Sequence, residues 1–124
     1  MGAEEVHKLV MVVDDDSMNI LVFKSILNEM GVQCDTAING KQALAKIEAR
    51  KKSGAPFYLV MFIDYSMPDL TGPEVAVEIG RSLKDTMIDV PFMACCTAYT
   101  DSTFRDAALN AGMKKFMTKP VDNN

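Results

Sequence analysis

The chain has 124 residues, 48% of them hydrophobic and 24% charged, which is the make-up of one ordinary globular domain. Its formal charge of −4 argues against a broad face for nucleic acid or an anionic membrane, either of which needs a basic surface. The longest apolar run, Phe57 to Ile63, has seven residues, far short of the ~20 that a membrane-spanning helix needs.

The first residues, Met1-Gly2-Ala3-Glu4-Glu5-Val6, are acidic and lack the basic and apolar stretches of a signal peptide. Val6 stands where a myristoylation pattern requires Ser or Thr. The three cysteines, Cys34, Cys95 and Cys96, have neither disulfide nor metal spacing and read as buried thiols of a reducing compartment, so a cytoplasmic location is expected. Adjacent Cys95 and Cys96 should point to opposite faces of a strand.

In chain order, short β-rich runs alternate with segments of helical spacing. The strands expected are Leu9 to Val13, Val32 to Ala37, Tyr58 to Ile63, Pro91 to Cys96 and Met113 to Met117. After the first strand, Ile20, Phe23, Leu27 and Met30 make one helical face, with Gly31 placed to end it. Asn39 and Gln42 form a capping-box pattern ahead of Ala43, Leu44 and Ile47, and the lysines and arginine that follow read as a solvated outer face. Lys51 to Pro56 reads as the one long loop. Pro73 suits the first position of a third helix, carrying Ala76, Ile79 and Leu83 inward. Phe104, Ala107, Ala108 and Ala111 mark a fourth, closed by Gly112. This βαβαβαβαβ order predicts a doubly wound parallel sheet in a single domain spanning 1–124, with its core at about 8–121. Tyr58 to Ile63, apolar throughout, should be a central strand buried on both sides.

Ligands of such sheets bind beyond the carboxyl ends of the strands. There the chain places Asp14-Asp15-Asp16 after the first strand, Asp64 after the third, Thr97 after the fourth and Lys119 after the fifth. Each is ordinary alone: the aspartates can cap a helix or make a turn, Thr97 can sit unremarked, and Lys119 can be solvated. Together they are harder to dismiss. Adjacent carboxylates raise one another's pKa unless a cation neutralises them, and a fourth from a neighbouring strand makes a hard-oxygen site suited to Mg²⁺. A lysine and a threonine nearby then suit an anion carried in with the metal.

The blocks Val12-Val13-Asp14-Asp15-Asp16, Phe62-Ile63-Asp64-Tyr65-Ser66-Met67-Pro68, Thr97-Ala98 and Phe116-Met117-Thr118-Lys119-Pro120 resemble those of the receiver domain of two-component response regulators. The resemblance runs from about Lys8 to Val121. Asn19, Asn39-Gly40 and Ala111-Gly112-Met113 are similar to receivers of hybrid histidine kinases. The resemblance implies the flavodoxin-like receiver fold, in which Asp64 takes a phosphoryl group from a phosphohistidine of a histidine kinase or histidine phosphotransfer protein. It implies a signalling phosphoacceptor rather than an enzyme acting on a separate substrate, with no direct partner among nucleic acids or membranes. Asp15, Asp64 and the carbonyl of Ser66 would hold Mg²⁺, and Asp14 would act mainly through a coordinated water. Lys119 and Thr97 would meet phosphoryl oxygens, Thr97 and Phe116 would be the switch pair, and Asp16 would only start a helix.

Three departures from the family pattern stand out. Thr71 precedes Gly72 where Asp is usual. Tyr99 lies two residues past Thr97, where its ring is expected to shield the acyl phosphate from water. Only Val121-Asp122-Asn123-Asn124 follow Lys119-Pro120, so four helices are expected and the family's fifth is not. Apolar surface left uncovered in that way would invite a homodimer or a domain-swapped dimer. The rival functions are a haloacid-dehalogenase-type phosphatase with its nucleophile at Asp14, a flavin-mononucleotide binder, and an interaction module of the same fold without the phosphoryl chemistry.

Overall fold

A computed structural model of the chain describes residues 9–98 and 101–119. Its elements alternate as expected: β1 (Leu9–Val13), α1 (Ser17–Glu29), β2 (Gln33–Ala37), α2 (Gly40–Ser53), β3 (Val60–Asp64), α3 (Gly72–Leu83), β4 (Phe92–Thr97), α4 (Ser102–Asn110) and β5 (Lys115–Thr118). The strands form one parallel sheet in the order β2-β1-β3-β4-β5, with Val13 opposite Ile63 and Asp64 opposite Cys96. Strand order reverses at β1, so consecutive crossovers leave the sheet on opposite sides and a crevice opens between the ends of β1 and β3.

The two faces are covered unequally. On one, α2, α3 and α4 bury Met11, Val13, Met61, Ile63, Met93 and Cys95 against Ile47, Val75, Ile79 and Ala108. On the other, among the described residues, α1 alone lays Ile20, Phe23 and Leu27 over Val10, Val12 and Cys96. The Phe23 ring rests 4.9 Å from that of Phe62 on β3, and burying a side chain of that size contributes about 1.5–3 kcal/mol. Cys95 and Cys96 lie on opposite faces as predicted, and all three cysteines are free. Burial pushes both of these thiols up to about 12, which makes them poor nucleophiles.

Several boundaries depart from the sequence reading for identifiable reasons. The third strand starts at Val60. Leu59 is exposed, and Val60 and Phe62 are only partly buried, because α1 covers part of that face. β1, rather than β3, is the strand buried at every position. The α1 stripe ends at Leu27; Met30 is the C-cap and 65% exposed, while Gly31 adopts φ +73, the left-handed turn that releases the chain. Lys51 to Ser53 belong to the last turn of α2, so the loop before β3 begins at Gly54. Pro73 is the second residue of α3, because Thr71 is the N-cap: its hydroxyl accepts from the Glu74 amide and the Glu74 carboxylate accepts from the Thr71 amide. The Thr71 departure is thus a complete capping box. No described helix is long and apolar enough to cross a membrane.

Candidate phosphoacceptor site

Parallel strands deliver their carboxyl ends to one rim, where Asp64 and Thr97, the last residues of β3 and β4, join the polar residues that follow β1 and β5. Asp14 is 1% exposed and Asp64 7%, and Thr97 is also buried. The Lys119 ammonium bridges the two buried carboxylates, 3.0 Å from Asp14 Oδ2 and 3.1 Å from Asp64 Oδ1. Its own backbone is fixed by an amide hydrogen bond of 2.8 Å to the Thr97 carbonyl. Carboxylate oxygens of Asp14, Asp15 and Asp64 all lie within 4.8 Å of one another, with Asp15 the exposed member.

The two buried aspartates are held differently. Asp14 Oδ1 accepts from the Asp16 amide at 2.9 Å, and Oδ2 meets both Lys119 and, at 3.4 Å, the Asn19 side-chain amide. Asp64 meets the Lys119 ammonium and has Asp14 and Asp15 nearby as like charges. Burial pushes its carboxyl up to about 6, Asp14 and Asp15 add to the rise, and Lys119 opposes it. Burial also works against the Lys119 charge, but its hydrogen bonds to Asp14 and Asp64 outweigh that and its pKa is raised. Lys119 pairs with the two buried carboxylates while exposed Asp15 stands beside them, so the cluster holds more carboxylates than its bridging cation can pair. Clustered hard oxygens with excess negative charge are what Mg²⁺ requires, and the residues fit that ion.

Asp16 is the N-cap of α1, accepting from the Met18 amide at 2.9 Å, and takes no part in the cluster. Asn39 caps α2 through the Gln42 amide, while Gln42 reaches back to Ile38 rather than to Asn39, so the expected box is only half of one. Ser66 lies on the exposed loop after β3. Phe116 stands opposite Cys95 on β5, on the same sheet face as Thr97, with the Arg105 guanidinium 5.6 Å above its ring. Tyr99 and the segment Pro120–Asn124, on which the shielding and missing-helix expectations rest, lie outside the described residues.

Three features escaped the sequence reading. Tyr65, directly after Asp64, meets Phe104 of α4 edge-on at 4.9 Å. A Cβ added at Gly72 would come 2.6 Å from the Asp64 carbonyl, so only glycine lets the chain return beside the acidic residue. Asp69 reaches across to α2. The Thr71-x-x-Glu74 box was readable as a local pattern, whereas Asp69 had no local signal because its partners lie 28 and 29 residues away.

The doubly wound sheet thus carries an acidic crevice and a bridging lysine at its switch point. Residues 10–124 match the response regulator receiver domain, and the chain belongs to that family. It is 33% identical over 115 residues to hybrid signal transduction histidine kinase L of Dictyostelium discoideum, covering 90% of this chain and 6% of that kinase. The chain therefore spans a small fraction of that relative's length. A CheY-like receiver domain protein from Methanospirillum hungatei superimposes with a TM-score of 0.77 at 26% identity, covering 94% of this chain and 85% of that one. The fold also matches, at a TM-score of 0.77 and 24% identity over 95% of this chain and 83% of the other, a structure of the Saccharomyces cerevisiae histidine phosphotransfer protein Ypd1 with the receiver domain of its response regulator Ssk1.

Proposed function

We propose that this receiver domain accepts a phosphoryl group on Asp64 from a phosphohistidine, with Mg²⁺ held by Asp15, Asp64 and the Ser66 carbonyl and with Asp14 acting through a coordinated water. The observation that carries this reading is the Lys119 bridge between buried Asp14 and Asp64, with Asp15 beside them. With its pKa near 6, Asp64 is roughly nine-tenths ionised at pH 7 and needs no base to attack. A carboxylate oxygen of Asp64 bonds to phosphorus as the phosphorus–nitrogen bond breaks, and the departing imidazole keeps the electron pair. When bound, Mg²⁺ supplies charge neutralisation for the phosphoryl oxygens. Lys119 gives up its Asp64 contact for a phosphoryl oxygen and keeps Asp14. Thr97 donates its hydroxyl to another oxygen, and the space it leaves is taken by the Phe116 ring, which must first leave the Arg105 guanidinium. Phe116 has no hydroxyl, so this switch works by packing alone.

The partner is a histidine kinase or a histidine phosphotransfer protein, as Ypd1 is for the Ssk1 receiver. Its docking face must border the crevice, and α1 offers one: Met18, Leu21 and Val22 are exposed, with Met18 at 63%, next to the Asp16 cap. In this reading the domain is a cytoplasmic signalling phosphoacceptor that assists its own phosphorylation and dephosphorylation. A phosphatase with Asp14 as nucleophile is disfavoured, because both Asp14 oxygens are already engaged.

The test is intact-mass measurement after incubation with acetyl phosphate or phosphoramidate and Mg²⁺. One phosphoryl increment is expected, absent from Asp64→Asn and retained when the metal is present but Asp16 is changed to Asn. No increment with any donor would favour the inert interaction module.

A further inference from the structure

We propose that Asp69 is a positioning residue for this site, its carboxylate clipping the β3–α3 loop to the first turn of α2 and so fixing the segment that carries the Ser66 carbonyl. The inference rests on the reading of Asp64 and Mg²⁺ given above. Asp69 Oδ1 accepts from the Gly40 amide at 3.0 Å and from the Leu70 amide at 2.8 Å, while Oδ2 accepts from the Lys41 amide at 2.8 Å. Gly40 and Lys41 are the first two residues of α2, whose amides have no partner within the helix. Asn39 takes the third amide, that of Gln42, at 2.7 Å. One helix end is thus closed by two side chains, one from the residue just before the helix and one from the loop beside the acidic crevice.

Two oxygens gripping two successive amides fix direction as well as distance. The contact around them is close: a Cβ on Gly40 would fall 2.8 Å from Leu70 Cβ and 2.9 Å from Val75 Cγ2, so the loop sits on backbone there. At the other end of the loop the Gly72 amide donates to the Tyr65 carbonyl at 2.8 Å. Ser66, Met67 and Pro68 therefore run between two anchors, the Gly72 hydrogen bond at Tyr65 and the clip at Asp69. The Lys41 amide above all, with those of Gly40 and Leu70, holds the Asp69 carboxyl below the usual carboxylate range, so the clip is charged at neutral pH. If Ser66 offers a backbone carbonyl to the metal, its reach is set by these anchors and by no side chain of its own. Outer partners that orient metal ligands typically matter about 10- to 100-fold in affinity.

The experiment compares Asp69→Ala with Asn39→Ala. Both remove a cap from the same turn of α2, but only the first releases the loop. Mg²⁺ binding is followed by titration calorimetry on the unphosphorylated protein, beside urea unfolding of each variant. Asp69→Ala should weaken Mg²⁺ binding about tenfold, and Asn39→Ala by less than about twofold at a similar loss of stability. Asp69→Asn, which keeps one acceptor oxygen, should give a smaller loss in the same direction and covers the case in which the alanine variant does not fold. Equal weakening by Asp69→Ala and Asn39→Ala would reduce the effect to fraying of α2 and overturn the proposal, as would wild-type affinity in Asp69→Ala. Failure of the wild-type protein itself to bind Mg²⁺ would instead sink the phosphoacceptor reading and this inference with it.

Discussion

Two aspartate–lysine pairs in this molecule share the same chemistry and have opposite electrostatics. At the edge of the sheet, Asp35 on β2 accepts from the Tyr58 hydroxyl at 2.7 Å, from Lys46 at 3.2 Å and from the Thr36 amide at 3.1 Å, with Arg50 stacked over the Tyr58 ring. Burial raises its carboxyl pKa, but these donors together outweigh burial and the net shift is downward. In the crevice, Asp64 has one lysine, which it shares with Asp14, and its carboxyl is pushed up to about 6. The balance of burial against donors separates the two places: donors outweigh burial at Asp35, and burial outweighs Lys119 at Asp64. One is a finished structural tie; the other is short of positive charge, and a deficit of that kind marks a binding site rather than a staple.

The comparison can be broken most severely at Lys119. Lys119→Ala removes the cation that bridges Asp14 and Asp64, and about 3 kcal/mol should be lost in urea unfolding without divalent ions. Millimolar Mg²⁺ should recover part of that loss, and a deficit indifferent to Mg²⁺ would mean that the crevice is not a metal site.

Asp64→Asn should act in the opposite direction. A carboxyl whose pKa is raised on folding binds more protons in the folded state, so its contribution is present below the unfolded value of 3.8 and is lost as pH rises to about 6. Wild-type stability should fall across that window, and Asp64→Asn should abolish the fall. At pH 7 without metal the variant should be about 1–3 kcal/mol more stable than wild type. Unfolding curves collected from pH 4 to 7 check both statements, and parallel profiles for the two proteins would refute them.

The smallest effect is expected at the edge tie. Tyr58→Phe keeps the ring and removes one donor from Asp35, costing about 1–2 kcal/mol with no change in Mg²⁺ affinity. A shift in metal affinity there would mean that the two regions communicate.

The legible part of this fold came from rules that act locally or by alternation. Strand positions, the crevice and the Asp14, Asp15, Asp64, Thr97 and Lys119 set were readable because parallel strands must all deliver their following residues to one rim. The Gly31 stop was readable because the left-handed position favours glycine. Burial on a particular face was not. Phe62 and Val60 look like core residues, yet their exposure depends on how much of that face one helix can cover. The charged outer face of α2 concealed Lys46, which ties Asp35, and Lys51, which donates to the Ser82 carbonyl at 3.0 Å. Asp69 was opaque for the same reason: a side chain that joins distant segments leaves no period in the chain.

The edge-on contact between Tyr65 and Phe104 has an optical consequence. The chain has three tyrosines and no tryptophan. Tyr58 donates its hydroxyl to a carboxylate in a buried setting, which drains its emission, while Tyr65 is bonded in sequence to Asp64 and touches the helix that follows β4. Tyrosine fluorescence therefore carries a contribution from the site, and the difference between wild type and Tyr65→Phe isolates it from Tyr58 and Tyr99.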